Sequence, residues 1–280
     1  MYICGQKKLL DNISSLIDQN KFPNFSIICG LSGGGKRLIA DHIAHSVKAI
    51  LVPCELSVDS VRSVILSANS TSEKLVFMFA DAHKMSQSAM NSLLKVSEEC
   101  PERVYIILTT VDKTMLLPTI VNRAHVFNID QYTKSDLNEF VKHRNMELSS
   151  AKKSVLLSVC STPGELLENK DVDIEYVYGL CDKFVEFIGD ANLSNSLKIS
   201  TYLKLKKDDK DGIDVVLFMN TVMLVAHDLM KQFDNTSKYL KIIKFTNSYK
   251  SDMNIGSINK SLLVDNWILS LYCQLNEVMI

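Results

Sequence analysis

A glycine-rich segment that ends in lysine is the clearest chemical signal in this sequence. Gly30 to Arg37 reads Gly-Leu-Ser-Gly-Gly-Gly-Lys-Arg, a glycine followed by four residues and Gly-Lys. Glycines let backbone N–H groups turn inward around a polyphosphate, and the lysine ammonium reaches the terminal phosphates. The pattern departs from a phosphate loop at Arg37, because a Ser or Thr there would have bound magnesium. The candidate nucleotide-binding residues are Gly30, Gly33, Gly34, Gly35, Lys36 and Arg37. The alternative is that these glycines only make a tight turn.

Asp81 is the second candidate, because it follows an apolar run. Lys74 to Phe79 is almost continuously apolar, which predicts a strand buried on both faces of a parallel sheet. In phosphate-loop ATPases a carboxylate at the end of such a strand binds the metal. Ala82 follows it, so the acid that would deprotonate the attacking water is missing, and His83 is the nearest titratable substitute. A strand-end cap for Asp81 and a surface role for His83 are the alternatives.

The elements around these residues alternate between strand and helix patterns up to about residue 130. Short apolar runs predict strands at 25–29, 49–52, 74–79, 104–110 and 125–129. Helical spacing of apolar residues predicts helices at 6–17, after Lys36, at 58–66 and at 86–99. This alternation predicts an α/β fold with a doubly wound parallel sheet.

From Thr133 onward the patterns are helical. Helices are predicted at 135–142, 150–160, 164–169 and 174–188, and the chain is helical again from Leu193, with loops at 206–212 and around 247–259. The loop Lys204 to Gly212 does not fit a calcium loop, because Lys207 would occupy the first ligand position. We therefore expect an α/β domain over residues 1–130 and helical domains over 131–190 and 191–280.

Composition limits the functional classes. The 280 residues carry a formal charge of -1, so the chain lacks the positive field of a dedicated nucleic-acid binder. Seven cysteines without a CxxC pair argue against a zinc module or a disulfide framework and favour reduced thiols in a cytoplasm. The most apolar stretch, Val215 to Ala226, is too short to span a bilayer, which predicts a buried helix and no membrane partner.

Three segments carry a resemblance to a known family. Phe79 to Glu99 includes Asn91-Ser-Leu-Leu-Lys-Val-Ser-Glu-Glu99, and it is followed by Ile106 to Thr110 and by Leu116 to Arg123. This succession resembles the AAA+ subunits of DNA-polymerase sliding-clamp loaders, and it is most similar to the delta-prime type of bacterial DNA polymerase III and its phage relatives. The resemblance covers roughly residues 1 to 170. It implies an AAA+ domain, then a small helical lid and an all-α collar domain.

The resemblance also assigns roles to individual residues. It places the phosphate loop at Gly30 to Arg37, the magnesium-binding acid at Asp81 and the first sensor, which reads the γ-phosphate, at Thr110. Asn122-Arg123 falls where the family has a Ser-Arg-Cys motif, whose arginine reaches the ATP of a neighbouring subunit. For Arg123 the alternative is an ion pair at the surface or at a strand end.

Other positions depart from the family pattern. Thr162-Pro-Gly-Glu165 falls at the second sensor, but Glu165 or Leu166 cannot supply its arginine. The zinc loop of the bacterial relatives does not fit between Lys36 and Asp81, so no zinc is expected.

Together these departures imply a clamp-loader subunit whose own hydrolysis is weak or absent. The magnesium hydroxyl, the water-activating acid and the second-sensor arginine are all missing, and each such group contributes about 10²-fold or more to rate. Arg123 could still serve a neighbouring ATP site. The implied partners are other clamp-loader subunits, the sliding clamp and primer-template DNA, in a bacterial cell or a phage-infected host. ATP with magnesium in the loop and an empty loop are both left open.

Two other functions remain open at this point. One is an active ATP-hydrolysing clamp-loader subunit in which Arg37 or a partner compensates for the missing hydroxyl. The other is a non-enzymatic, DNA-binding AAA+ relative that acts without a clamp. Basic residues near the acidic strand end, among them Lys84 and Lys95, would face DNA or only solvent, and Met85, Met90 and Leu94 would touch a clamp or only fill the core.

Overall fold

The computed structural model of the chain describes residues 2–70, 72–99, 101–190, 192–203, 212–232, 236–252 and 259–276. Contacts divide the chain into two compact units. Residues 1–146 and 161–168 form the first unit, and residues 147–160 and 169–280 form the second. The three predicted domains, with boundaries at 130 and 190, remain a prediction.

The first unit is built on five parallel strands. In chain order they are β1 (Phe25–Cys29), β2 (Ile50–Cys54), β3 (Leu75–Phe79), β4 (Val104–Thr110) and β5 (His125–Asn128). They lie side by side in the order β2-β3-β4-β1-β5, and every neighbouring pair is parallel. The predicted α/β fold with a parallel sheet is confirmed, and the bounds of β1 and β4 are those predicted from the sequence.

Helices cover both faces of this sheet. α1 (Lys7–Asp18) and α2 (Lys36–Ser46) pack on one face, and α3 (Val58–Ser70), α4 (Gln87–Glu99) and α5 (Pro118–Arg123) pack on the other. The first unit also contains α6 (Lys134–His143) and α8 (Pro163–Glu168), and α7 (Ser150–Val159) belongs to the second unit. Successive strand residues point to opposite faces, so Ile27 packs with α3, α4 and α5 while Ile28 packs with α1 and α2. Met85 and Met90 are buried in the first of these cores, and Leu94 packs against it, which supports the core interpretation for all three.

The second unit is built mainly of helices, with one isolated β-bridge between Leu203 and Ile213 among its described residues. Besides α7 it contains α9 (Ile174–Gly189), α10 (Leu193–Ile199), α11 (Val215–Gln232), α12 (Thr236–Asp252) and α13 (Lys260–Asn276). Phe184, Phe218 and Trp267 meet at its centre with ring centroids 5.2–6.3 Å apart. Of the helices in the described part of the chain, none combines the length and apolar character needed to cross a bilayer. The apolar stretch in α11 is a buried helix, as predicted.

Two predictions in the helical regions need comment. The prediction of a loop around residues 247–259 is wrong over its first six residues, because α12 continues to Asp252. The polar residues there favour a loop by composition, but tertiary hydrogen bonds keep them in the helix. Trp267 Nε1 donates to Thr246 Oγ1 at 3.3 Å, and the Tyr249 and Ser270 hydroxyls lie 2.8 Å apart. The predicted loop at 206–212 lies outside the described residues except for Gly212.

Candidate functional site

The strand topology brings the candidate loops to one edge of the sheet. Because β1, β3 and β4 are parallel neighbours, the segments that follow them emerge at the same side. The Gly30 N–H donates to the Thr110 carbonyl at 3.1 Å, and the Asp81 N–H donates to Thr109 Oγ1 at 3.0 Å. The phosphate-loop candidate, the acidic candidate and the sensor candidate therefore form one corner of the first unit, which we call the phosphate-loop corner.

The glycine segment has the geometry of a strand-to-helix turn. Gly33 and Gly35 have φ values of 71° and 79°, a left-handed conformation that glycine adopts without strain. Gly35 immediately precedes α2, which begins at Lys36. This places the N-terminal end of α2 at the loop, as a phosphate-binding turn requires.

The Lys36 ammonium is bound to the loop itself. Its Nζ donates to the Gly30 carbonyl at 2.7 Å and to the Leu31 carbonyl at 2.8 Å. Burial lowers the pKa of Lys36, although the nearby Asp81 carboxylate opposes that shift. The group that would bind terminal phosphates in an ATPase therefore stabilises the backbone turn in this chain. Arg37 is exposed in the first turn of α2.

Two other groups bind the same loop. The Gly164 N–H donates to the Gly33 carbonyl at 3.0 Å, and the Tyr132 hydroxyl donates to the Gly34 carbonyl at 2.9 Å. Burial raises the pKa of Tyr132 to about 12, so its hydroxyl keeps its proton and remains a donor. The approach of Gly33 to Gly164 is close enough that a Cβ on Gly164 would overlap the Gly33 Cα. The segment predicted as the second sensor thus packs directly on the phosphate loop.

Glu165, in that segment, accepts a hydrogen bond from the Ser161 N–H at 2.6 Å. The backbone N–H of Gly164, in the same segment, supplies a hydrogen bond to the loop.

Asp81 is paired with a lysine. It lies two residues beyond the end of β3 with φ 53°, and Lys84 Nζ lies 2.8 Å from its Oδ2. Partial burial raises the pKa of Asp81, but the hydrogen bond and charge of Lys84 outweigh burial and lower it. The carboxylate makes no capping hydrogen bond, so the interpretation as a cap is not supported. Lys84 lies only three residues after Asp81, so this pair could have been predicted from the sequence.

The chain supplies few magnesium ligands at this corner. Arg37 replaces the hydroxyl ligand, and the Asp81 carboxylate already pairs with an ammonium group. Within the described ranges, no three His, Cys, Asp or Glu side chains are grouped so that they could hold a metal ion. None of the cysteines in those ranges, Cys4, Cys29, Cys54, Cys160, Cys181 and Cys273, forms a disulfide.

Thr110, the first-sensor candidate, is buried at the end of β4. Its hydroxyl donates to the Asp112 carbonyl at 2.9 Å, and it lies 3.4 Å from His83 Nδ1. Burial lowers the pKa of His83, although the Asp81 charge opposes this. His83 is therefore half-buried and interacts with the corner, rather than being a free surface residue.

Arg123 lies apart from this corner, at the end of α5. Its Nη1 pairs with Oε1 of Glu98, which lies in the last turn of α4. Both side chains remain about half exposed, at 49% and 56%. The surface ion pair anticipated as the alternative for Arg123 is present, and the guanidinium is still accessible. We call this pair and its two helix ends the α4–α5 edge.

Comparison with known proteins shows which proteins this chain is similar to. A family model described as DNA polymerase III, delta subunit, matches residues 54–133. The gamma subunit of DNA polymerase III from Buchnera aphidicola of Schizaphis graminum is 26% identical over 172 residues, or 50% of this chain and 47% of that subunit. The tau subunit from Bacillus subtilis is 21% identical and covers 94% of this chain and 52% of its own length. The Buchnera delta-prime subunit is 25% identical over 225 residues, with coverages of 73% and 62%.

Solved structures share the fold. A DNA polymerase III gamma-subunit-related protein from Thermotoga maritima has a TM-score of 0.52 at 17% identity and covers 94% of this chain and 98% of its own. The Thermotoga maritima RuvB branch migration motor has a TM-score of 0.51 at 14% identity, with coverages of 98% and 85%. The fold is therefore that of an AAA+ protein, an α/β sheet domain with a helical C-terminal part.

Within that class, the chain resembles the clamp-loader subunits of DNA polymerase III, the delta-prime subunit included, as its motifs predicted. The chain spans about half the length of the first curated relatives it matches.

Proposed function

We propose that this chain acts in DNA replication as a clamp-loader subunit that does not hydrolyse ATP efficiently and that supplies Arg123 to the ATP site of a neighbouring subunit. Its partners would be the other loader subunits, the sliding clamp and primer-template DNA, in the cytoplasm of a bacterium or a phage-infected host. The helical C-terminal part would hold the ring of subunits together.

The observation that carries this proposal is the contrast between two sets of residues. Lys36 hydrogen-bonds to the carbonyls of its own loop and Asp81 pairs with Lys84, while Arg37 and Ala82 stand where an ATPase has a hydroxyl and a second acid. The Arg123 side chain, in contrast, is 49% exposed. A planar cation of this kind stabilises the charge that develops on a transferred phosphoryl group when it is supplied in trans.

The test uses the loader assembled from this chain and its native partners. We expect Arg123→Ala to reduce hydrolysis at the neighbouring site by about 10³-fold. In a single-turnover burst, the variant loader should then hydrolyse one ATP fewer for each copy of this chain that it contains. Arg123→Lys should not restore the burst, because an ammonium group lacks the planar donor set of a guanidinium. An unchanged burst with Arg123→Ala would reject the role in trans.

A parallel measurement addresses the chain's own site. The purified chain should show no single-turnover hydrolysis, with or without Lys36→Ala. If the chain hydrolyses ATP and Lys36→Ala abolishes the reaction, it is an active ATPase subunit instead. Failure of the chain to purify with a sliding clamp and loader subunits would favour a DNA-binding AAA+ protein that acts without a clamp.

A further inference from the structure

We propose that Glu98 is a positioning residue for Arg123. It binds the guanidinium through one nitrogen and leaves the remaining donors available for the triphosphate of a neighbouring subunit. This inference rests on the proposed function of Arg123 and adds a second residue to it.

The ion pair joins two rigid elements. Glu98 lies one residue before the end of α4, and Arg123 is the last residue of α5. Each helix is anchored from below, because Leu93 of α4 and Ile120 of α5 are fully buried in the same core cluster. The backbone that carries Glu98 is therefore fixed relative to the backbone that carries Arg123.

The chemistry of the guanidinium allows two partners at once. Arginine has five N–H donors in a planar array, and the contact with Glu98 involves Nη1. A long arginine side chain that has no partner samples many rotamers and loses that freedom when it docks on a ligand. A carboxylate that already restricts the arginine side chain before the triphosphate binds reduces this loss of freedom. Groups that hydrogen-bond to a functional side chain and hold its orientation have the same effect at other sites.

The same contact defines an opposite role for Glu98 as the outcome that would contradict the proposal. A carboxylate can compete with a triphosphate for the guanidinium and so hold Arg123 away from the neighbour. The two roles predict opposite changes in rate when the charge of Glu98 is removed. Exposed ion pairs are weak, so a competing carboxylate would be displaced readily by a triphosphate, which favours the positioning role.

The assembled loader provides the first test. We expect Glu98→Gln to lower the kcat for ATP by about two- to fivefold with KM unchanged, because an exposed pair adjusts geometry more than affinity. Glu98→Asp, which keeps the charge, should retain an intermediate rate. Glu55→Gln is the matched control, since Glu55 is an exposed glutamate on the loop after β2, and it should leave kcat unchanged. A kcat that stays the same or rises in Glu98→Gln, or that falls equally in Glu55→Gln, would overturn the positioning role.

The double variant separates this proposal from the function on which it rests. If Glu98 acts through Arg123, Arg123→Ala with Glu98→Gln should be no slower than Arg123→Ala alone. Should Arg123→Ala lower the rate while Glu98→Gln does not, the positioning role fails and the role of Arg123 stands. Should Arg123→Ala have no effect, both fail.

The isolated full chain gives a readout that is independent of ATP hydrolysis. Phenylglyoxal modifies accessible arginines, and mass spectrometry can follow the rate at Arg123. We expect Glu98→Gln to increase that rate at least about twofold, with Glu55→Gln unchanged, because the guanidinium loses its partner. Equal rates in Glu98→Gln and the unmodified chain would contradict a restraint by Glu98.

Discussion

The phosphate-loop corner and the α4–α5 edge belong to the same unit, but they are held in opposite ways. At the corner, the carbonyls of Gly30, Leu31, Gly33 and Gly34 accept hydrogen bonds from other groups of this chain. At the edge, Arg123 contacts Glu98 through a half-exposed ion pair. The first region is stabilised by several partly buried contacts, whereas the second can exchange its partner at little cost.

This difference implies that the two regions contribute differently to the stability of the fold. A loop whose carbonyls are bound by its own chain contributes to the stability of the fold, so its glycines are needed for packing whether or not a nucleotide binds. An exposed ion pair such as that of Arg123 contributes little to stability. Substitutions in the two regions should therefore separate stability from activity.

The largest effect on stability is expected for Gly164→Ala at the corner. A Cβ at this position would overlap the backbone of Gly33, which cannot yield as a flexible side chain would. We expect the free energy of unfolding, measured by urea denaturation, to fall by about 1–3 kcal/mol.

Gly179→Ala is the matched control for that substitution. Gly179 lies within α9, and a Cβ there meets nothing within 4 Å. Alanine in a helix interior should raise stability by about 0.5–1 kcal/mol. Equal effects of the two substitutions would show that the contact between Gly33 and Gly164 does not constrain the fold.

A smaller loss is expected for Lys36→Met. The substitution keeps an apolar stem but removes the donor to the Gly30 and Leu31 carbonyls. We expect the free energy of unfolding without nucleotide to fall by about 1 kcal/mol, and Lys8→Met, on the exposed surface of α1, to change it by less than about 0.5 kcal/mol. If Lys36→Met has no effect without nucleotide, the ammonium is not structural and the loop is better described as a vacant phosphate site.

The sequence predicts those features of the two regions that depend on residues adjacent in the chain. The phosphate loop, β1 and β4 follow from short patterns, because strand character and glycine turns depend on adjacent residues. The contact of Gly164 with Gly33 could not be predicted, because it joins segments far apart in the chain and depends on how the helices after β5 return to the sheet. The pairing of Arg123 with Glu98 likewise depends on the packing of α4 against α5.

The sequence indicates which side chains at the corner are able to interact, but not the groups that they contact in the structure. The predictions that Lys36 binds a phosphate and Asp81 a metal stay predictions, and the structure adds the loop carbonyls and Lys84 as their partners within the chain. The spacing of Asp81 and Lys84 could have indicated the pair. Tyr132 offered no such signal, since a lone tyrosine after a strand does not show which carbonyl its hydroxyl will reach.

A weaker, pH-dependent effect is expected for Lys84→Met. Because Lys84 lowers the pKa of Asp81 in the folded state below its usual 3.8, the pair stabilises the fold above that value, and this contribution is lost as pH falls through the lowered pKa. Asp81 is 44% exposed, so the contribution should be below about 1 kcal/mol.

Urea denaturation of the two proteins from about pH 5 to about pH 2.5 measures this contribution. We expect the unmodified chain to lose more stability than Lys84→Met over that range. Parallel curves would mean that Asp81 and Lys84 do not interact in solution.

The smallest effect on stability is expected at the α4–α5 edge. Arg123→Ala and Glu98→Gln each disrupt one exposed ion pair, and such pairs contribute about 0–1 kcal/mol, with many near zero. We expect both substitutions to change the free energy of unfolding of the isolated chain by less than about 0.5 kcal/mol, while Arg123→Ala abolishes hydrolysis at the neighbouring site in the assembled loader. A stability loss as large as that of Gly164→Ala would show that the edge is a structural contact like the corner, and it would remove the reason to look for the role of Arg123 in another subunit.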